Sequence, residues 1–185
     1  MSTELERKII SLLKGGHALS ESARRALIKG LGTNGRDILR QIAEGSLAVE
    51  HPKLRGKAVI ALGFDDKDLD KSLEALRKVL KTGDEKLQVL SLRAFGRLKP
   101  EAVVDEVKTL IKDSETPPAV ALAAARVAAL IGGNEIAAEL RKLRNRLLPL
   151  ALGPQSPSIV SLDRLIKQAS GTAPSPAEDE PKIVI

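Results

Sequence analysis

Cationic side chains recur along this chain at a nearly fixed interval. Arg77, Lys108 and Arg141 follow one another at steps of 31 and 33 residues. Lys81 and Lys112 stand four residues after the first two, where the third copy has Asn145. Residues at i and i+4 share one face of a helix. Stacked copies of this segment therefore align the cations as a ladder, which Lys78, Lys142 and Arg144 widen. Such a strip attracts an acidic protein segment or a phosphate backbone. The same residues also suit the last turns of helices, where cations meet the negative end of the helix dipole.

Other chemistry-bearing residues point less far. Arg141, Lys142, Arg144 and Arg146 form a short basic tract. No aromatic residue is interleaved with it, as single-strand nucleic-acid binding requires, and the pattern matches the solvated face of an amphipathic helix. His17 and His51 have no second histidine at ligand spacing and read as turn residues. The acidic run Asp65, Asp66, Asp68 and Asp70 superficially matches a calcium loop but lacks its central glycine and closing bidentate glutamate. It reads as a turn between helices, with Asp68 capping the second. Gly30–Leu31–Gly32 lacks the spacing of a dinucleotide loop, and no Ser/His/Asp set or phosphate-binding glycine loop is present.

Composition narrows the classes further. With no Cys, disulfides, thiolate metal sites and cysteine nucleophiles are excluded. With no Trp, no Tyr and two Phe, aromatic cages and base-stacking platforms are excluded. No apolar run approaches the roughly 20 residues of a membrane span, and no secretory signal is evident near Met1. The absence of Cys fits a reducing cytoplasm, where the protein is expected. The net charge is +6, and the excess lies mid-chain, with twelve basic against seven acidic side chains in residues 51–100.

The elements that must carry the ladder form a repeat. Leu54–Gly63, Leu87–Gly96 and Val120–Ala129 align at steps of 33 residues. Leu54, Leu87 and Val120 are apolar, Ala58, Ser91 and Ala124 small, and Gly63, Gly96 and Ala129 close the block. Small residues at helical spacing let helices approach closely. A second block follows each first one: Leu76–Lys81, Val107–Lys112 and Leu140–Asn145, with apolar residues at block positions one and four. A weaker upstream copy begins at Ala23–Gly32, and Ile38, Leu39 and Ile42 fall in its second helix.

Stop and start signals agree. Pro52 and Pro117–Pro118 stand where first helices begin, and Asp84 and Asn134 read as N-caps. Gly132–Gly133 ends a helix, as does Gly15–Gly16. Thr3 and Glu6 have capping-box spacing, and Ser156–Pro157 has N-cap and N1 chemistry. No alternating run competes as a strand. The reading is all-α: about four helix–turn–helix repeats at 20–46, 51–82, 84–113 and 117–147, with capping helices at 2–14 and 156–169.

The pattern P-x-L-R-x-x-A-x-x-A-L-G in Pro52–Gly63 resembles the first helix of HEAT repeats, as do Arg93–Gly96 and Arg126–Ala128. The resemblance implies a right-handed α-solenoid whose second helices line a concave face, acting as a scaffold or binding surface. Two enzymatic branches of the family fail on residues. The iron-binding branch uses His-Glu pairs, whereas here Ala18 follows His17 and Pro52 follows His51. The alkyl-DNA glycosylase branch uses aromatic residues around a flipped base, and Trp and Tyr are absent. For the phycobilin lyase branch no supporting residue is found.

Residues 171–185 differ from the rest. Gly171–Pro181 combines Pro and acidic residues with a Ser, the composition of a segment disordered in isolation. It leads to Lys182 and the β-prone run Ile183, Val184 and Ile185 with its terminal carboxylate, an apolar end suited to strand addition or carboxylate capture by a partner. The sequence is therefore expected to encode a non-enzymatic, cofactor-free and metal-free adaptor or assembly scaffold, away from membranes. Its contacts with a protein bearing an acidic segment are expected at Arg77, Lys78, Lys81, Lys108, Lys112, Arg141, Lys142 and Arg144 and at the apolar tail. The alternative is a module that grips nucleic-acid phosphates without reading sequence.

Overall fold

The computed structural model describes residues 3–15, 21–49, 52–151 and 153–171. Over these the chain is all-helical with no strand, and ten α-helices pack against one another. They are α1 (Glu4–Gly15), α2 (Glu21–Gly30), α3 (Thr33–Glu44), α4 (Pro52–Leu62), α5 (Leu69–Thr82), α6 (Glu85–Leu98), α7 (Val104–Lys112), α8 (Pro118–Ile131), α9 (Asn134–Leu147) and α10 (Pro157–Ala169). Two short 3-10 turns, Pro100–Val103 and Leu148–Leu150, precede α7 and follow α9.

Helix ends follow local chemistry. The Glu6 amide donates to Thr3 Oγ1 at 3.2 Å and the Thr3 amide donates to Glu6 Oε2 at 3.0 Å, closing a capping box on α1. Asp84 caps α6, accepting from the Leu87 amide at 2.9 Å. Gly45 ends α3 at φ 85°, a left-handed conformation that favours glycine. Three expected caps differ. Gly133, at φ 101°, occupies the N-cap of α9, so Asn134 is already its first helical residue. Asp68 stands at the N-cap of α5 without capping it, because arginines of α3 claim its carboxylate. Ser156 stands at the N-cap of α10, yet its side chain makes no cap bond and its Oγ is buried without a hydrogen-bond partner.

Contacts arrange the helices in two rows. In one, α2 touches α4, α4 touches α6, α6 touches α8 and α8 touches α10. In the other, α3 touches α5 and α7 touches α9. Cross-contacts of α3 with α4, α5 with α6, α7 with α8 and α9 with α10 bind the rows together, and α1 lies across α3 and α4. The core runs between them as one continuous apolar cluster that includes both phenylalanines, Phe64 and Phe95.

Equivalent positions of the 33-residue pattern do equivalent work. Ala58, Ser91 and Ala124 are all fully buried, as are Leu76, Val107 and Leu140 of the second blocks. At Gly63 a Cβ would meet Ala94 Cα and Cβ at 3.1 Å, so α4 and α6 approach backbone to backbone. At Gly96 a Cβ would instead meet side chains of α8, Leu130 Cδ1 at 3.3 Å and Val127 Cγ2 at 3.7 Å. Ser91 would be an unpaired polar group in this seam, but its hydroxyl donates to the Leu76 carbonyl at 2.7 Å.

Candidate functional site

The cationic row lies on α5, α7 and α9, and it divides into two groups. In the first, each cation meets a carboxylate. Arg77 Nε donates to Glu106 Oε1 of α7 at 3.2 Å, and its guanidinium also donates to the Ala102 carbonyl. Lys108 donates to Glu135 Oε2 of α9 at 2.9 Å, and that bond holds the Glu135 carboxyl below its ordinary pKa. Lys78 bridges Glu44 of α3 and Glu74 of its own helix, each at 3.4 Å, and the Glu44 charge raises its pKa. Arg144 donates to Asp163 Oδ1 of α10 at 2.6 Å, and Lys142 to Glu139 at 3.0 Å.

The second group is Lys81, Lys112 and Arg141. All three are exposed, and none closes an ion pair. Lys81 and Lys112 sit in the last turns of α5 and α7. Lys112 lowers the pKa of Glu135 by its charge. Ile183, Val184 and Ile185, like His17 and His51, lie outside the described residues.

The pairing has a simple origin. Glu106 and Glu135 are first-turn residues of α7 and α9, where a carboxylate is favoured by the positive end of the dipole. A cation on the preceding helix of the row meets it there. Arg77 and Lys108 recur in register because each ties its helix to the next.

The strongest instance of this device was hidden in the sequence. On α3, Arg36 and Arg40 are four residues apart, and both are buried. Arg40 Nη2 donates to Asp65 Oδ2 at 2.8 Å and Asp68 Oδ2 at 3.1 Å, and its Nη1 donates to Asp37 at 2.6 Å. Arg36 Nε donates to Asp68 Oδ2 at 2.9 Å. Ser72 Oγ donates to Asp65 Oδ2 at 2.8 Å and accepts from Arg40 Nε at 3.2 Å. Asp65 is only 1% exposed, so its charge is compensated almost wholly inside the protein. The hydrogen bonds from Arg36, then Arg40, hold the Asp68 carboxyl below its ordinary pKa. The acidic turn thus anchors α5 to α3. The signal that locates it is spacing: Arg36 to Asp68 and Arg40 to Ser72 are each 32 residues apart, about one repeat.

Other cations close helix ends. Arg55 donates to the Ala43 and Glu44 carbonyls at 2.8 and 2.9 Å, capping α3. Lys57 donates to Leu13 and Lys14 carbonyls of α1 at 2.9 and 3.3 Å, and burial followed by the Lys53 charge lowers its pKa. Arg146 donates to the Lys112 and Asp113 carbonyls at 3.1 and 2.7 Å, capping α7. These bonds satisfy carbonyls that a helix leaves unpaired at its C-terminus.

Among the described residues no group of three or more His, Cys, Asp or Glu is placed to hold a metal ion, and no helix is long and apolar enough to cross a membrane. What the row offers chemically is positive charge on a fixed frame. In comparison with known proteins, no family model matches the chain, and neither a curated protein nor a solved structure matches it.

Proposed function

We propose that the protein is a non-enzymatic binding scaffold. In this reading it is a right-handed α-solenoid of about four HEAT-like helix pairs, with α1 and α10 as caps, and it takes an acidic segment of a partner protein along α5, α7 and α9. The two-row contact order supports the solenoid. The observation that carries the function is the division of the cationic row. Helix-to-helix stapling accounts for Arg77 and Lys108, and it leaves Lys81 and Lys112 of the same helices, and Arg141 of α9, exposed and unpaired. Three fixed cations on successive helices suit a run of carboxylates better than a lone one.

The test is charge reversal of the unpaired group alone. Lys81→Glu, Lys112→Glu and Arg141→Glu break no staple, so the fold should persist. Retention of an oligoglutamate-tagged peptide by the immobilised protein should fall at least about tenfold at low salt and lose its salt dependence. Equal retention by the variant, with the fold intact by circular dichroism, contradicts the proposal. Retention of duplex DNA that exceeds the peptide's and collapses steeply with salt would favour phosphate binding instead.

A further inference from the structure

The two ends of the helix rows are finished differently. At one end, the cleft beside α10 sets the charged side chains Arg144, Asp163, Arg164 and Lys167 around Pro154 and Val160. At the other end, α1, α2 and α3 border an open cleft of about 620 Å³ lined mainly by Leu5, Ile9, Leu12, Ala26, Leu27 and Leu31, with Lys8, Thr33 and Asn34 beside them. Its volume falls in the range of clefts that bind ligands, roughly 300–1,000 Å³. Leu5 is 37% exposed at its rim. A mainly apolar cleft that no described residue covers, at the end of a helix row, is a place where another apolar segment docks.

The chain itself carries a segment of matching chemistry. Ile183, Val184 and Ile185 offer three β-branched aliphatic side chains, preceded by the acidic run Glu178, Asp179 and Glu180. The helices that frame the cleft have the opposite charge. On α1 and α2, Arg7, Lys8, Lys14, Arg24, Arg25 and Lys29 outnumber Glu4, Glu6 and Glu21. An apolar cleft in a basic frame and an apolar run behind an acidic one are complementary in both respects.

Geometry decides between a molecule's own cleft and another's. The segment leaves from the end of α10, and the first row runs from α10 through α8, α6 and α4 to α2. Four interaxial steps of about 8–10 Å make roughly 32–40 Å. Residues 172–182 span at most about 36–40 Å, even drawn out completely. The segment reaches its own cleft only at the limit of its extension, at a high cost in chain entropy. A second molecule's cleft is under no such restriction.

We propose that residues 183–185 of one molecule dock in the α1–α3 cleft of another, giving a head-to-tail association. Such a contact joins two different surfaces, so it propagates into open chains unless it closes into a ring. The proposal is independent of whether the cationic row binds a partner, since it uses neither Lys81, Lys112 nor Arg141.

Sedimentation equilibrium on the full chain tests it. The average mass should rise well beyond a dimer as concentration increases about a hundredfold. The segment variant Ile183→Asp/Val184→Asp and the cleft variant Leu5→Glu should each remain monomeric. Mixed together, they should give dimers and nothing longer, because one intact segment and one intact cleft remain. If Leu5→Glu fails to fold, a synthetic peptide of residues 176–185 serves instead, and it should return the native chain to monomer. A full chain that stays monomeric throughout overturns the proposal. So does association that persists in both variants and in the presence of the peptide.

Discussion

Asp65 shows how far a single residue can depend on its partners. It is 1% exposed, and its carboxylate is held by Arg40 and Ser72, with Arg36 3.6 Å away. Removing one member of a buried pair leaves an uncompensated charge, which costs about 3–5 kcal/mol. Arg40→Met should therefore destabilise the protein by that amount in urea unfolding followed by circular dichroism. Arg25→Met, which loses only a solvated pair with Glu21, should leave the midpoint unchanged. Acid should reveal the same linkage. The Asp68, Asp113 and Glu135 carboxyls all titrate below their ordinary values when folded. A carboxyl depressed in the folded state contributes stability that is present above its unfolded pKa and lost as pH falls through the folded one. The thermal midpoint should hold steady down to about pH 5 and fall below pH 4. The gap between the native chain and Asp68→Asn should narrow over the same range; a constant gap would show that Asp68 is not linked to acid unfolding.

Helices are joined here at small residues, and the glycines differ sharply in what surrounds them. A Cβ at Gly63 would press on Ala94 at 3.1 Å and on the Ile60 carbonyl at 3.2 Å, both backbone-bound atoms with no freedom to yield. Gly63→Ala should destabilise by about 1–3 kcal/mol through overpacking. At Gly30, the last residue of α2, nothing lies within 4 Å of an added Cβ. Gly30→Ala should stabilise by about 0.4–1 kcal/mol by restricting the unfolded chain. Unfolding midpoints that move in the same direction for both variants would contradict the packing account. Element positions were legible because helical periodicity, Pro52, Pro118 and the Gly132–Gly133 pair are local signals. The small-residue seam was legible because the repeat brings Ala58, Ser91 and Ala124 to one place. What joins helix to helix was not. Arg77 and Lys108 were visible as an in-register pair, but their carboxylates lie 29 and 27 residues downstream, and only the packed array brings them together. For the same reason, Asp68 read as a cap while its true partners stood 28 and 32 residues upstream. The turn Pro100–Val103, which carries the Ala102 carbonyl to Arg77, had no periodicity to announce it.

For the molecule as a whole, most of the positive charge in the cationic row serves architecture. Lys78, Arg77, Lys108 and Arg144 tie α3 to α5, α5 to α7, α7 to α9 and α9 to α10, while cations outside the row, Arg55, Lys57 and Arg146, close the ends of α3, α1 and α7. The account's central claim is that the remainder, Lys81, Lys112 and Arg141, recognises an acidic partner. The most direct measurement is affinity capture from nuclease-treated native extract with the full chain and with the Lys81→Glu/Lys112→Glu/Arg141→Glu variant, both shown to be folded by circular dichroism. The account predicts a discrete protein that binds the native chain, survives nuclease and is lost from the variant. Equal capture by both chains, or recovery of nothing but nuclease-sensitive nucleic acid, would contradict it.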